Sequence, residues 1–249
     1  MIVHSPVEQF TIKALYSLNL LGYDISFTNS SLFMVLAILV SAGFLLGAMR
    51  PASIIPGKFQ CLAEMLYEFV ANIIDETVGK EGKPYFPFIF TLFLFILFSN
   101  LLGLIPYSYT VTSQIVVTFA MAFTIFVGVT LIGLLKHGLH FFSFFVPEGA
   151  PKILLPLIIL IEVISYLIRP VSLSVRLFAN MLAGHTMLKV FAGLAVMMTG
   201  AGGLLLISSP LPLLVIVALT GLELLVAMLQ AYVFTILTCM YLNDALHLH

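Results

Sequence analysis

Glu162, Arg169 and Arg176 stand seven residues apart in a stretch, Ile161 to Val190, set amid Leu, Ile, Val and Phe. Seven residues advance a helix by about 700°, within about 20° of two full turns, so the three form one slowly drifting polar stripe. Asn180, four beyond Arg176, continues it. Holding such a charge at the centre of a bilayer costs about 2.5–3.5 kcal/mol. A guanidinium cannot escape that cost by shedding its proton, because its pKa stays above about 12. A permanent cation kept at this depth has to face something negative. His185, nine residues past Arg176, falls about 180° round the same helix and about 13 Å along it. A titratable group and a fixed cation therefore face opposite ways, which suits a helix with a different aqueous or protein surface on each side. Glu223 and Gln230, again seven apart, share one side of the last apolar segment, where Glu223 is the only charge before Asp244. Imidazole titrates near neutrality and a carboxyl out of water can hold a proton, so His185 and Glu223 are the groups suited to relaying protons. The chemistry on offer is ion translocation. No nucleotide-binding motif and no nucleophile–base set accompanies these residues, and the chain alone is expected to make and break no covalent bond.

Each residue also admits a structural role. Arg169 and Lys189 can snorkel to an interface, and Arg176 can neutralise Glu162 or Glu223 within one subunit. Glu223 can be the partner of His185, which would not exclude a proton role. Gln230 and Asn180 can serve as interhelical glue. His137 and His140 sit in a loop without a third ligand, so no metal is expected, and nothing points to a cofactor. Cys61 and Cys239 match no metal spacing and read as buried small apolar residues.

The elements that must position these groups belong to a membrane protein. The chain is 61% hydrophobic and 8% charged, with mean hydropathy +1.18, against about 25% charged residues in soluble domains. A net charge of −1 without a basic patch excludes nucleic acid as a partner. No basic region leads into an apolar core at the N-terminus, so the first span is expected to direct insertion itself. Trp is absent, which leaves Tyr and Phe to form any interfacial belt.

Residues 1–31 read as an outer-side N-terminal segment, in which Ser5-Pro6-Val7-Glu8 can open a surface helix. The stretch 32–49 is a first span, ended by Arg50-Pro51. In 56–78, Phe59, Leu62, Leu66, Phe69, Val70 and Ile73 recur at helical steps while Glu64, Glu68 and Asp75 fall opposite, which predicts an amphipathic helix in the interface or on a soluble partner. The region 84–135 is a helical hairpin: spans at 84–105 and 114–135 are joined by the short turn 106–112. The remaining apolar region, 151–246, holds stretches 154–194 and 210–242, separated at Gly200, Gly202 and Gly203. At 1.5 Å per residue they run about 60 and 50 Å, against a hydrocarbon core of about 30 Å. Neither contains a polar turn, so each is expected to be one strongly inclined helix, the first with a point of bending at Pro170, which interrupts the backbone ladder. The expectation is an all-α integral membrane protein in a single domain, with about five membrane helices, one amphipathic interfacial helix, and a final inclined hairpin. Lys and Arg concentrate in 50–83 and 136–152, which puts those segments inside, the N-terminus outside and the C-terminus inside.

With these residues in view, the sequence resembles subunit a of F-type ATP synthases. Arg169-Pro-Val-Ser-Leu-Ser-Val-Arg176-Leu-Phe-Ala-Asn180-Met-Leu-Ala-Gly-His185 carries the resemblance. Ser5-Pro-Val-Glu-Gln-Phe10, Ser99-Asn-Leu-Leu-Gly-Leu-Ile-Pro-Tyr107 and Leu229-Gln-Ala-Tyr-Val-Phe234 support it in the family's order. The resemblance implies that Arg176 is essential and faces a carboxylate on each subunit of a rotating c-ring, with two aqueous half-channels ending on either side of it. Some relatives exchange the residue types at positions 185 and 223, and a paired exchange implies neighbours. Arg169 is Lys in some relatives; the charge is kept. On this footing a proton enters from the outer side past His185, Glu223, Asn100 and Gln114, with Asn180 and Gln230 nearby. It leaves by an inner route near Glu162, Ser165 and Arg169. Implied partners are the c-ring subunits, the b subunits of the peripheral stalk, other F0 subunits and lipid. The implied location is an energy-coupling membrane, bacterial inner or mitochondrial inner.

Two rivals remain open at this level. A self-contained antiporter or channel would need an acid of the same chain opposite Arg176. A structural scaffold would need its buried charges paired internally, which an unpaired stripe argues against.

Overall fold

The structure is a computed structural model that describes residues 10–17, 19–20, 23–24, 26–50, 55–105, 108–146, 154–201 and 210–247. The expected surface helix at Ser5–Glu8 and the turn at Gly202 and Gly203 lie outside them. Two short antiparallel ribbons come first: β1 (Ala14–Tyr16) pairs with β4 (Phe27–Thr28), and β2 (Asn19–Leu20) with β3 (Tyr23–Asp24). Among the described residues six α-helices follow: α1 (Asn29–Ala48), α2 (Lys58–Thr77), α3 (Phe86–Gly103), α4 (Ile115–His137), α5 (Leu155–Ala201) and α6 (Pro210–Leu246). Among the described residues, five helical runs are long and apolar enough to cross a membrane. This is an all-α integral membrane protein apart from the ribbons before α1.

The ribbons went unforeseen because they are two or three residues long and their pattern is too short to carry a period. They explain why α1 starts at Asn29 rather than at 32. Thr28 Oγ1 accepts the backbone N–H of Ser31 at 3.3 Å, a side-chain cap for an orphaned helix donor. Asn29 ties the helix start to the preceding chain: its Nδ2 donates to Thr11 O at 3.1 Å, and its Oδ1 accepts from Lys13 N at 3.2 Å.

The other boundaries have local causes. Val78 caps α2 and Gly79 follows at φ 74°, and Gly138 follows α4 at φ 58°; both take the left-handed conformation that ends helices and that glycine adopts without strain. A 3-10 turn, Gly79–Tyr85, absorbs Pro84 ahead of α3. The helix α5 runs 47 residues, through Pro170, Gly193 and Gly200, where the sequence suggested a stop after Leu194. Glycine costs a helix about 1 kcal/mol. In hydrocarbon, however, a broken backbone finds no water to bond, so an apolar stretch stays helical. At 1.5 Å per residue α5 is about 70 Å long and α6 about 55 Å, so each needs a steep inclination to keep its apolar length in a core of about 30 Å.

Contacts divide the chain into two units. One takes in the chain up to Ala42, Phe95–Gln114 and Leu177–Ala231. Its core holds Ala37, Ile96, Leu177, Met181, Ala227 and Ala231, with Asn100, Thr110 and Thr112 fully enclosed among them. The other takes in Gly43–Leu94, Ile115–Arg176 and the chain from Tyr232 onward. In it Val70, Ile73 and Ile74 of α2 are buried, and Tyr67 packs on Phe86 with ring centroids 4.6 Å apart. The first half of α2 keeps Phe59 72% exposed and Leu62 44% exposed, the disposition of a helix lying in an interface. Cys61 lies on this exposed half, which corrects the expectation that both cysteines are buried; Cys239 is buried.

Candidate functional site

The first unit brings together the two groups chosen as proton carriers. His185 on α5 and Glu223 on α6 are both buried, with Nδ1 3.3 Å from Oε1. Their contact needs a glycine. A Cβ on Gly184 would stand 2.7 Å from Glu223 Oε1 and 3.0 Å from its Cδ, closer than real contacts allow. Neither carboxylate oxygen has a hydrogen-bond partner among the described residues. A buried carboxyl left in that condition is costly unless water or a proton reaches it. On the other side of the imidazole, Nε2 lies 2.9 Å from Thr110 Oγ1. Phe10 stands by the same ring, with centroids 6.3 Å apart. Lys189, one turn along α5, lies over Phe10 at 6.0 Å from its centroid.

The walls of this pocket follow from how α3 ends. Its last carbonyls are closed by a tightened final turn and by hydroxyls from the following segment: Leu102 O accepts from Ile105 N at 3.3 Å and from Ser108 Oγ at 2.6 Å, and Gly103 O accepts from Thr110 Oγ1 at 3.3 Å. A 3-10 turn, Val111–Ser113, then leads into α4. Asn100 is fully buried. It donates from Nδ2 to Ala227 O at 3.1 Å and accepts from Thr112 Oγ1 at 2.8 Å, so it joins α3, the 3-10 turn and α6. Gln114 Nε2 donates to Phe10 O at 2.8 Å. Both residues hold the walls of the pocket in place. Gln230 is buried on α6, and Asn180 is half-buried on α5. Tyr109, between the spans, is buried, and loss of hydration pushes its phenol above the ordinary range, so it remains neutral.

In the second unit, Arg169 Nη1 is 2.9 Å from Asp244 Oδ2. Its guanidinium also sits over the rings of Tyr166, at 5.1 Å, and Tyr241, at 5.0 Å. The expectation of an unpaired stripe is corrected here. Asp244 lies 75 residues further on, and no spacing rule within one helix could pair it with Arg169. Arg176 differs. It is exposed, on one face of α5 with Ser172, Val175, Ala179 and Ala183. Among the described residues no acid lies within ion-pair distance of Arg176 or hydrogen-bonds to it. Glu162 is half-buried and likewise unpaired among them, and Ser165 is exposed. A cation exposed along a face of small side chains is open to close approach by a helix of another molecule.

The family model described as ATP synthase A chain matches residues 31–243. This chain belongs to that family. It is 56% identical over 247 residues to "ATP synthase subunit a" of Rhodospirillum rubrum, covering 99% of this chain and 100% of that one. It is 56% identical over 244 residues to the protein of the same name from Rhizobium rhizogenes, 98% of each chain. With that of Agrobacterium fabrum it shares 54% over 244 residues, again 98% of each. Within this ATP synthase A chain family member, Thr110 and Gly184 are the site residues that sequence reasoning passed over. Thr110 was read as part of a plain turn. The signal for Gly184 was available: a glycine next to the histidine inside an apolar helix, where glycine has no reason to be unless something approaches closely.

Gly184→Ala is expected to push the Glu223 carboxyl away from Nδ1 and to lower proton flux through the assembled complex about tenfold. Combining it with the shorter Glu223→Asp should recover part of the loss, a coupling of the size usual between touching residues, about 0.5–3 kcal/mol. Passive proton uptake by vesicles carrying each variant measures it.

Proposed function

We propose that this chain is the stationary proton-translocating subunit of an F-type ATP synthase and that it works against a rotating ring of c subunits. The observation that carries the reading is Arg176, exposed on α5 and free of any acid among the described residues. An intrinsic antiporter would need that acid within the chain. The Arg169–Asp244 pair is what a scaffold would show, and it is Arg176, without such a partner among the described residues, that argues against one.

A proton enters from the outer side, passes the Glu223–His185 pair, and protonates a ring carboxylate. Asn100 and Gln114 hold the walls of this route, and Gln230 and Asn180 extend it along α6 and α5. Neutralised, the carboxylate can turn into lipid. After nearly a full rotation it reaches the inner route near Glu162, Ser165 and Arg169, and releases its proton. The field of Arg176 lowers the proton affinity of the arriving carboxylate. Because the guanidinium cannot deprotonate, it also prevents a direct hop from the outer route to the inner one. Each charge crossing 100 mV supplies about 2.3 kcal/mol, and this reaches ATP only through rotation. Peripheral-stalk b subunits, other F0 subunits and lipid complete the surroundings. The N-terminus is outside and the C-terminus inside an energy-coupling membrane.

The purified chain alone, reconstituted in liposomes, should pass no more protons than empty liposomes under an imposed potential, whereas the complex with its ring should conduct. Equal flux from the chain alone would favour the intrinsic channel.

A further inference from the structure

We propose that Thr110 is a positioning residue that fixes His185 as the tautomer protonated on Nε2, leaving the contact between Nδ1 and Glu223 to hold one exchangeable proton. The inference rests on the proton-path reading of that pair. It begins at the end of α3. Leu102 O accepts from Ile105 N at 3.3 Å, and Gly103 O has no backbone donor among the described residues. Ser108 Oγ lies 2.6 Å from Leu102 O and 3.1 Å from Gly103 O. A hydroxyl has one proton, and the shorter contact takes that of Ser108. Gly103 O is then left to Thr110 Oγ1 at 3.3 Å. A carbonyl can only accept, so both contacts of Thr110 are hydrogen bonds at once only if its hydroxyl donates to Gly103 O and accepts from Nε2 at 2.9 Å, which makes Nε2 the N–H. In a neutral imidazole the other nitrogen is then an acceptor. Nδ1 thus presents a lone pair to Glu223 Oε1 at 3.3 Å.

Two acceptors facing each other in a buried pocket repel, and the carboxylate has no other partner among the described residues. One proton relieves this. It rides on Glu223 as a carboxylic acid beside neutral imidazole, or on Nδ1 as imidazolium beside carboxylate. Moving between them breaks one O–H bond and forms one N–H bond, and the pair stays neutral throughout. With the other tautomer Nδ1 would already carry a hydrogen, and a proton arriving at Glu223 could not pass to it. Gly184 provides the room for the approach. The remaining charge near the imidazole among the described residues is Lys189, one turn along α5 and over the Phe10 ring.

The test is 15N NMR of histidine-labelled complex in lipid at alkaline pH, with the His185 signal assigned by its loss in His185→Gln. The expected spectrum has Nε2 protonated and Nδ1 unprotonated. Thr110→Val, which keeps the shape and loses the hydroxyl, should give mixed or reversed tautomers and about tenfold lower proton flux, the effect of one lost buried hydrogen bond. Thr110→Ser should keep both the spectrum and the flux. A native complex protonated on Nδ1, or a Thr110→Val spectrum identical to the native one, overturns the proposal. If Thr110→Val fails to assemble, the native spectrum still decides. If the native tautomer is as expected but Glu223→Gln leaves flux unchanged, the proton-path reading fails and the tautomer assignment stands.

Discussion

Arg176→Ala should abolish ATP-driven proton pumping while leaving the complex assembled. The side chain is exposed and holds no described partner, so its removal breaks no internal ion pair and should cost little stability. The functional effect is large. Two unit charges 4 Å apart at an effective dielectric of 20 interact by about 4 kcal/mol, equivalent to about three pKa units on a facing carboxylate. Without the guanidinium a ring carboxylate would arrive at the inner route still holding its proton. The barrier between the two routes would also be gone, so passive leak should persist or rise as coupled pumping disappears. Arg176→Lys should fail too, because an ammonium in apolar surroundings can lose its proton and a guanidinium cannot. Quenching of an acridine dye in inverted vesicles reads the pumping, and dye-detected leak in vesicles stripped of the catalytic head reads the passive path. Native-level coupled pumping by Arg176→Ala would remove the role assigned to it.

Glu223→Gln should cut proton entry by about a hundredfold or more, within the 10²–10⁴ range for a positioned proton-transfer group. The amide has nearly the same shape and keeps the packing against Gly184, yet cannot take up or release a proton at ordinary pH. Its partner remains 3.3 Å away, so a loss of flux with normal assembly would separate proton transfer from structure. Glu223→Asp keeps the acid and should retain intermediate flux. Both are measured as passive proton uptake under an imposed potential, and unchanged conductance in Glu223→Gln would reject Glu223 as a relay.

Much of this arrangement was readable because membrane sequences carry strong signals. Charges in long apolar stretches are rare enough to single out Arg176, His185 and Glu223, and the lack of a polar turn announced that α5 and α6 would each be one long helix. The contact between His185 and Glu223 was implied only by the exchange of residue types in relatives; nothing within either helix states it. What stayed hidden depended on distant parts of the chain meeting. The partner of Arg169 is Asp244, 75 residues away, and periodicity along one helix cannot reach it. Thr110 lies in a segment whose sequence says turn, and its importance comes from standing between the carbonyl of Gly103 and the imidazole of His185. Asn100 and Gln114 were picked out as polar groups along a route. The structure shows them bonded to Ala227 O and Phe10 O, ties that join separate elements of the first unit. Cys61 was misjudged because the exposed side of an interfacial helix looks, residue by residue, like a buried one.

Disulfide trapping tests the central claim most directly. With Cys61 and Cys239 replaced, a cysteine at Ala179, on the exposed face of α5 with Arg176, is paired with one on a ring helix beside its carboxylate. A disulfide needs Cα atoms within about 7 Å, so it forms only if the two faces meet. The account predicts rapid cross-linking that stops ATP-driven pumping and is reversed by reductant. It also predicts no cross-link from a cysteine at Leu188, about 180° round the helix from Ala179 and half-buried. Cross-linking from position 188 but not from 179 would contradict it.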